Sequence, residues 1–187
     1  MKKLNNIIIF PTDTVYGMGA PWHDNQSLNQ IYQLKQRALN KPMALLFYNL
    51  EQIKNIIQID NQIIKLSKKF WPGPLTLIVN TNKRYFRITK ENKIGIRMPN
   101  HPIALEILKK EGPLKTTSVN QSGQPPLNNF KIIKKLYQYK VKKILPNNYN
   151  SSNIPSTVIE ITNNNFKILR AGSIDIEEFI AIFSDQK

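Results

Sequence analysis

The 187 residues contain no cysteine. That excludes disulfides, thiolate metal sites and a cysteine nucleophile. Histidine is almost as rare. His23 and His101 stand alone, without metal-ligand spacing, and read as loop or cap residues. Glycine occurs seven times. There is no GxxxxGK phosphate loop, and Gly17-x-Gly19 is too short for a dinucleotide fingerprint. No stretch approaches the roughly 20 apolar residues of a membrane span. The start, MKKLNNIIIFPTD, carries two lysines but too short an apolar run for a signal peptide. A soluble cytoplasmic protein with no membrane partner is expected. No paired carboxylates suggest glycosidase-type acid–base work.

Acidic residues are scarce too: 12 against 27 Lys and Arg, a net charge of +15. Such an excess asks for a nucleic acid, a nucleotide or a membrane surface. Composition offers a plainer source. The cations are 22 Lys and 5 Arg, beside 22 Asn and 27 Ile, and Lys, Asn and Ile have A/T-rich codons. Scarcity makes each arginine informative. Arg37, Arg97 and Arg170 lie in contexts that suggest a task, whereas Arg84 and Arg87 lie in a less distinctive segment.

The length is most simply one domain, 1–187, able to bury roughly 70% of its unfolded surface. Short apolar segments at 6–10, 43–48, 75–80, 94–97, 115–118, 141–145, 157–161 and 166–170 read as strands. Helices are expected over 27–39, 61–70, 102–110, 130–140 and 175–183. The alternation indicates an α/β (α+β) domain with a mixed sheet. The polar run NNYNSSN, 147–153, reads as a mobile loop.

The polar clusters fall at strand ends. FPTDTVYGMG follows an apolar run and carries more hydroxyls than a turn needs. TTSVNQSG and IPSTVIEI also set hydroxyls at strand boundaries, and IGIRMPNHP and ILRAGSI end strands with arginine. Open sheets bind ligands at such ends, and hydroxyl-rich turns offer backbone donors to anions. Lys35 lies on the apolar stripe of Leu28 and Ile31; it either snorkels to solvent or faces a cavity holding an anion. KQRALNKP places Lys35, Arg37 and Lys41 within seven residues, a repulsion that a phosphate chain would offset. This inventory of cations, hydroxyls and backbone donors suits the gathering of anionic reactants.

PTDTVYGMG, KQRALNKP, PGPLTLIV, IGIRMPNHP, TTSVNQSG, PSTVIEI and ILRAG occur in the order seen in the YrdC-like family, the threonylcarbamoyl-AMP synthases. The resemblance runs from about Ile7 to Ser173, and the length resembles the short, single-domain bacterial form. It implies a twisted sheet with flanking helices around a basic cavity. It also implies a nucleotidyltransferase that joins L-threonine, bicarbonate and ATP into threonylcarbamoyl-AMP, releasing pyrophosphate, with Mg²⁺ accompanying the ATP. A transferase partner then modifies the tRNA adenosine next to the anticodon. By the same resemblance, Thr12, Lys41, Arg97, Thr116 and Ser156 hold threonine. Lys35, Arg37, Ser118, Asn120, Pro126 and Arg170 serve ATP, with Lys35 and Arg37 as the catalytic pair. Departures are small: Met18 replaces a usual Leu, Val119 a common Ala, and QPPLNNF is atypical.

One rival comes from another class. The charge also suits a non-catalytic RNA-binding module, and Lys131, Lys134 and Lys135 fall on one face of the expected helix at 130–140. Aromatic residues interleaved with basic ones would favour that reading. A related carbamoyl-adenylate domain with another acceptor would need a further attached domain.

Overall fold

A computed structural model describes residues 5–162 and 165–184. Among them, nine strands form one mixed sheet. In chain order these are β1 (Ile8–Phe10), β2 (Gly17–Pro21), β3 (Ala44–Leu46), β4 (Leu75–Asn80) and β5 (Lys93–Arg97). They continue with β6 (Leu114–Ser118), β7 (Lys143–Ile144), β8 (Thr157–Thr162) and β9 (Asn165–Arg170). Their spatial order is β7-β1-β2-β6-β3-β5-β4-β8-β9. The pairs β1/β7, β3/β5 and β4/β8 are parallel and the others antiparallel. The helices are α1 (Asn25–Leu34), α2 (Asn61–Phe70), α3 (Lys83–Thr89), α4 (Pro102–Glu111), α5 (Phe130–Tyr137) and α6 (Ile176–Ser184).

The helix starts follow capping chemistry. Asp24, Asp60, Asn82 and Asn129 each accept a backbone N–H from the first turn of α1, α2, α3 and α5, which satisfies an otherwise orphaned donor. The apolar stripes behind those caps fill three cores. α2 and α6 cover one face of β3, β5, β4 and β8, burying Leu45, Leu75, Leu77, Ile96, Ile159 and Phe179. α1 and α5 cover β1 and β2 around Ile9, Met18, Ile31 and Ile133. α4 packs Ala104 and Leu108 against Ile8, Phe10 and Leu114. Side chains alternate across a strand, so what β3, β5, β4 and β8 place opposite the first core is a second row: Ala44, Gly95, Arg97, Thr76 and Val158.

Two elements escape the sequence pattern. GMGAP, outside the expected strands, is the buried strand β2. Gly17 and Gly19 pair with Ser118 and Thr116 of β6. A Cβ on Gly17 would lie 2.8 Å from Thr116 Cγ2, and one on Gly19 would lie 2.5 Å from Thr116 Oγ1. The glycines therefore mark a close approach within the strand. α3 arises from a segment with no clear apolar period. Helix expectations at 27–39 and 130–140 also run long. α1 ends at Leu34 because Lys35 caps it and Gln36 turns left-handed at φ 49°, and α5 ends at Tyr137. The run at 147–153 is no loose loop. Ser151 Oγ donates to Thr12 O at 2.6 Å, and the amides of Ser152 and Asn153 donate to the carbonyls of Asp13 and Thr14.

Gly172 follows β9 and lies against the start of β8. A Cβ there would meet Thr157 N at 2.5 Å, Pro155 O at 2.6 Å and Ser156 C at 2.8 Å. These are backbone atoms with little room to yield. Gly172→Ala is expected to lower stability by about 1–3 kcal/mol through overpacking. Urea denaturation checks it, and an unchanged midpoint would refute the close approach.

Candidate functional site

The uncovered face of the sheet is a cavity of about 470 Å³. Small residues create its depth. Ala44 on β3 and Gly95 on β5 lie side by side between Thr116 on β6 and Thr76 and Ile78 on β4. A Cβ on Gly95 would come 3.3 Å from Thr76 Cγ2 and begin to fill the floor. The walls carry Thr12, Thr14, Arg37, Arg97, Ser118, Asn120, Ser156 and Arg170. Among the described lining residues there is no carboxylate.

Arg97 ends β5 and is 6% exposed. Its Nε donates to Gly73 O at 3.0 Å, Nη1 to Thr14 Oγ1 at 2.8 Å, and Nη2 to Asp13 Oδ1 at 2.6 Å. Asp13 Oδ1 also accepts the Asn100 amide at 3.1 Å. Thr12 Oγ1 donates to Val15 O at 2.7 Å, so its contact with Thr14 Oγ1 at 3.0 Å must be donated by Thr14. A directed chain thus runs from Arg97 through Thr14 and Thr12 to Val15. Burial draws the Arg97 guanidinium below its ordinary pKa; Asp13 opposes this, and Arg170 adds to the fall. Three of five N–H groups are spent on the protein, which leaves two for a ligand.

Lys35 lies below the opposite wall and is 1% exposed. Its ammonium donates to Ser118 O, to Asn120 O at 2.8 Å and to Asn120 Oδ1 at 2.7 Å. Burial first, and the Arg37 charge second, bring its pKa down to about 8. Ser118 Oγ donates to Asn120 Oδ1 at 2.7 Å, and Asn120 Nδ2 donates to Gln124 O. Arg37 holds its own turn through Nε to Lys41 O at 3.2 Å and Nη2 to Pro42 O at 2.9 Å.

Ser156 precedes β8. Its hydroxyl meets Thr76 Oγ1 at 2.8 Å and accepts from Arg170 Nη2 at 3.1 Å, while Arg170 Nε donates to Ser156 O at 2.9 Å. Burial lowers the Arg170 pKa.

Of the residues singled out from sequence, Thr12, Arg37, Arg97, Thr116, Ser118, Asn120, Pro126, Ser156 and Arg170 line the one cavity. Lys35 is buried beneath it, and Lys41 is exposed outside its lining. Sequence reasoning passed over Thr14, Thr76, Asp13 and Gly95. The first two were visible as hydroxyls within PTDTVYG and PGPLTLIV; Gly95 had no signal beyond its place in a strand. Arg97→Lys keeps the charge but replaces a rigid fork with one point donor. It should leave two buried acceptors unpaired and cost about 2–4 kcal/mol. Chemical denaturation tests this, and a wild-type midpoint would remove Arg97 as the wall's anchor.

Comparison with known proteins gives the site a lineage. Residues 2–172 match the Sua5/YciO/YrdC family, described as telomere recombination. A threonylcarbamoyl-AMP synthase of Pyrococcus abyssi is 30% identical over 183 residues, spanning 96% of this chain and 54% of that protein. One from Bacillus subtilis is 30% identical over 187 residues, spanning 97% and 54%. The chain therefore spans about half the length of these curated relatives. The crystal structure of P. abyssi Sua5 complexed with L-threonine superposes with a TM-score of 0.86 at 30% identity, covering 95% of this chain and 53% of that one. The family match takes in every cavity segment from Thr12 to Arg170, and the chain belongs to the Sua5/YciO/YrdC family.

Proposed function

We propose that this chain is a threonylcarbamoyl-AMP synthase, joining L-threonine, bicarbonate and ATP with release of pyrophosphate. The observation that carries the reading is the cavity itself: three arginines and a ring of hydroxyls, with no carboxylate among the described lining residues. Each proposed reactant is anionic or bears an anionic group, so such a lining attracts all of them and repels none. The likeness to a Sua5 complexed with L-threonine supports the amino-acid half of the reading.

Arg97 offers its two remaining N–H groups to the threonine carboxylate, a pairing suited to a guanidinium fork. Thr12, Thr116 and Ser156 border the same region, and Lys41 adds charge from outside. The pair Lys35 and Arg37, with Ser118, Asn120, Pro126 and Arg170, serves ATP. The amine of threonine adds to the bicarbonate carbon, giving a carbamate and water. A carbamate oxygen then attacks the α-phosphorus, and pyrophosphate leaves. What the chain contributes is alignment and positive charge where negative charge gathers.

Mg²⁺ is assigned to the ATP and not to the protein. Among the described residues no cluster of three His, Cys, Asp or Glu side chains could hold a metal, so the residues present do not fit a resident ion. It enters as part of the nucleotide substrate. A cytoplasmic location, a single functional domain and a transferase that carries the product to tRNA complete the reading. No helix among the described residues is long and apolar enough to cross a membrane.

Pyrophosphate release in the presence of ATP and Mg²⁺ should require both threonine and bicarbonate. ATP turnover that persists unchanged without threonine would sink the synthase reading.

One feature favours an additional contact with RNA. Lys131, Lys134, Lys135, Lys140, Lys142 and Lys143 are exposed around the end of α5, and Tyr139 stands among them at 92% exposure. Such a patch offers phosphate contacts and one stacking face. It lies outside the cavity lining. Changing Lys131, Lys134 and Lys135 to Glu should leave adenylate formation nearly unchanged. tRNA retention should fall, and in the unaltered protein it should weaken steeply with salt. Loss of adenylate formation in the folded variant would assign the stripe to the cavity instead.

A further inference from the structure

Two cations of the family-like KxR segment, Lys35 and Arg37, are two residues apart yet stand in different surroundings. Arg37 lines the cavity. Lys35 is 1% exposed and is not among the lining residues. An ammonium has three N–H donors, and Lys35 has three oxygen acceptors, at the last residue of β6 and in the loop that follows it: Ser118 O, Asn120 O and Asn120 Oδ1. The backbone repeats the tie, because the Ser122 amide donates to Lys35 O at 2.9 Å. No donor is left to reach a phosphate without breaking one of these bonds.

Apart from Val119, which is buried in the core beneath α1 and α5, the loop it grips is held by few further hydrogen bonds. The Val119 amide donates to Tyr16 O at 3.1 Å, and the Leu127 amide donates to Val119 O at 2.7 Å. Asn120 ties the loop together through its side chain, its Oδ1 accepting from Lys35 and Ser118 and its Nδ2 donating to Gln124 O. Three carbonyl-type oxygens converging on one point would repel one another without a cation between them. Lys35 supplies it, and the grip sets where Ser118 and Asn120 stand in the cavity wall.

We propose that Lys35 is a positioning residue: it clamps the chain from Ser118 to Ser122 and acts on the nucleotide through that segment, while Arg37 is the one of the two that meets the phosphates. The inference rests on the synthase reading for the identity of the nucleotide, and on the geometry alone for the clamp.

The two roles separate by which ligands feel the loss. A phosphate contact matters to ATP and not to adenosine. A clamp matters to both, since on the synthase reading the nucleoside is held against the same wall of Ser118 and Asn120. Lys35→Met is expected to raise the dissociation constants of ATP and adenosine by a common factor of roughly ten, about the worth of one charged hydrogen bond. Arg37→Met is expected to weaken ATP and spare adenosine. Lys35→Arg keeps the charge but not the point-donor geometry, and it should behave as Lys35→Met does. Titration calorimetry supplies these constants. Hydrogen exchange at the Ser122 and Leu127 amides supplies a readout that needs no ligand, with protection falling at least about tenfold in Lys35→Met while the amides of β4 and β5 keep theirs. Selective loss of ATP binding in Lys35→Met, or full ATP affinity in Lys35→Arg, would overturn the proposal. Unchanged protection in the loop would overturn the clamp while leaving the synthase reading intact. Failure of the unaltered protein to bind ATP would instead defeat the synthase reading, and the nucleotide half of this proposal with it.

Discussion

The buried guanidinium of Arg97 is the constraint on which the cavity depends. Three chain segments meet on it: the 12–14 turn, the carbonyl of Gly73, and its own strand β5. The 12–14 turn lies far from the other two in the sheet, because four strands separate β1 from β4, whereas Gly73 is held to the end of β5 a second time, its amide donating to Met98 O at 2.8 Å. A cation placed here loses its hydration, and it is tolerated because a carboxylate, a hydroxyl and a carbonyl replace the water. Replacing the centre with apolar groups could hold the segments equally well in energy. It would not leave two N–H groups pointing away from the protein's own acceptors. The interaction thus joins structure to binding in one side chain.

The opposite wall repeats the device with a different cation. Lys35 draws the loop after β6 toward the end of α1, and that pull explains why the helix stops where it does. Continuing α1 would carry Lys35 along the helix axis, away from Ser118 and Asn120. Instead the chain turns at Gln36, a non-glycine residue at φ 49°, a conformation costly for an ordinary side chain. The three hydrogen bonds to the ammonium and the Ser122–Lys35 backbone bond offset that cost. Much of the net charge of +15 has nothing to do with this. Lys54, Lys69 and Lys93 form exposed pairs with Glu51, Glu178 and Glu160, which contribute little individually. The cations that shape the cavity walls are few: Lys35 and Arg97 are buried, Arg37 is half-buried and Arg170 is exposed.

The parts of the structure legible in the sequence were those with local causes. The apolar periods at 61–70 and 175–183 marked α2 and α6. Hydroxyls and arginines at strand ends marked the cavity, since a strand needs neither. What stayed hidden had distant causes. β2 does not read as a strand because its glycines answer to Thr116, nearly a hundred positions away in the chain. The end of α1 answers to Ser118 and Asn120. The 147–153 run reads as loose because its polar residues show no period, yet those same polar groups fasten it to Thr12, Asp13 and Thr14. Lys35 is the sharpest case. Spacing set it on an apolar stripe and left two outcomes open, solvent or a ligand; the structure took neither and gave the ammonium protein oxygens.

The floor shows what such a site requires of its scaffold. A sheet face ordinarily buries itself beneath helices, and here the opposite face of β3, β5, β4 and β8 does so through α2 and α6. Leaving the near face open exposes it to water, which is tolerable only if the strands are stable without it. The row Ala44, Gly95, Thr76 and Val158 contributes little apolar area to lose. Stability is concentrated instead on the far side, where Leu45, Ile96, Leu77 and Ile159 alternate with that row and are fully buried. The alternation of the β-strand therefore divides the labour: one set of side chains holds the sheet together, and the set between them is free to be small, polar and charged around a reacting ligand.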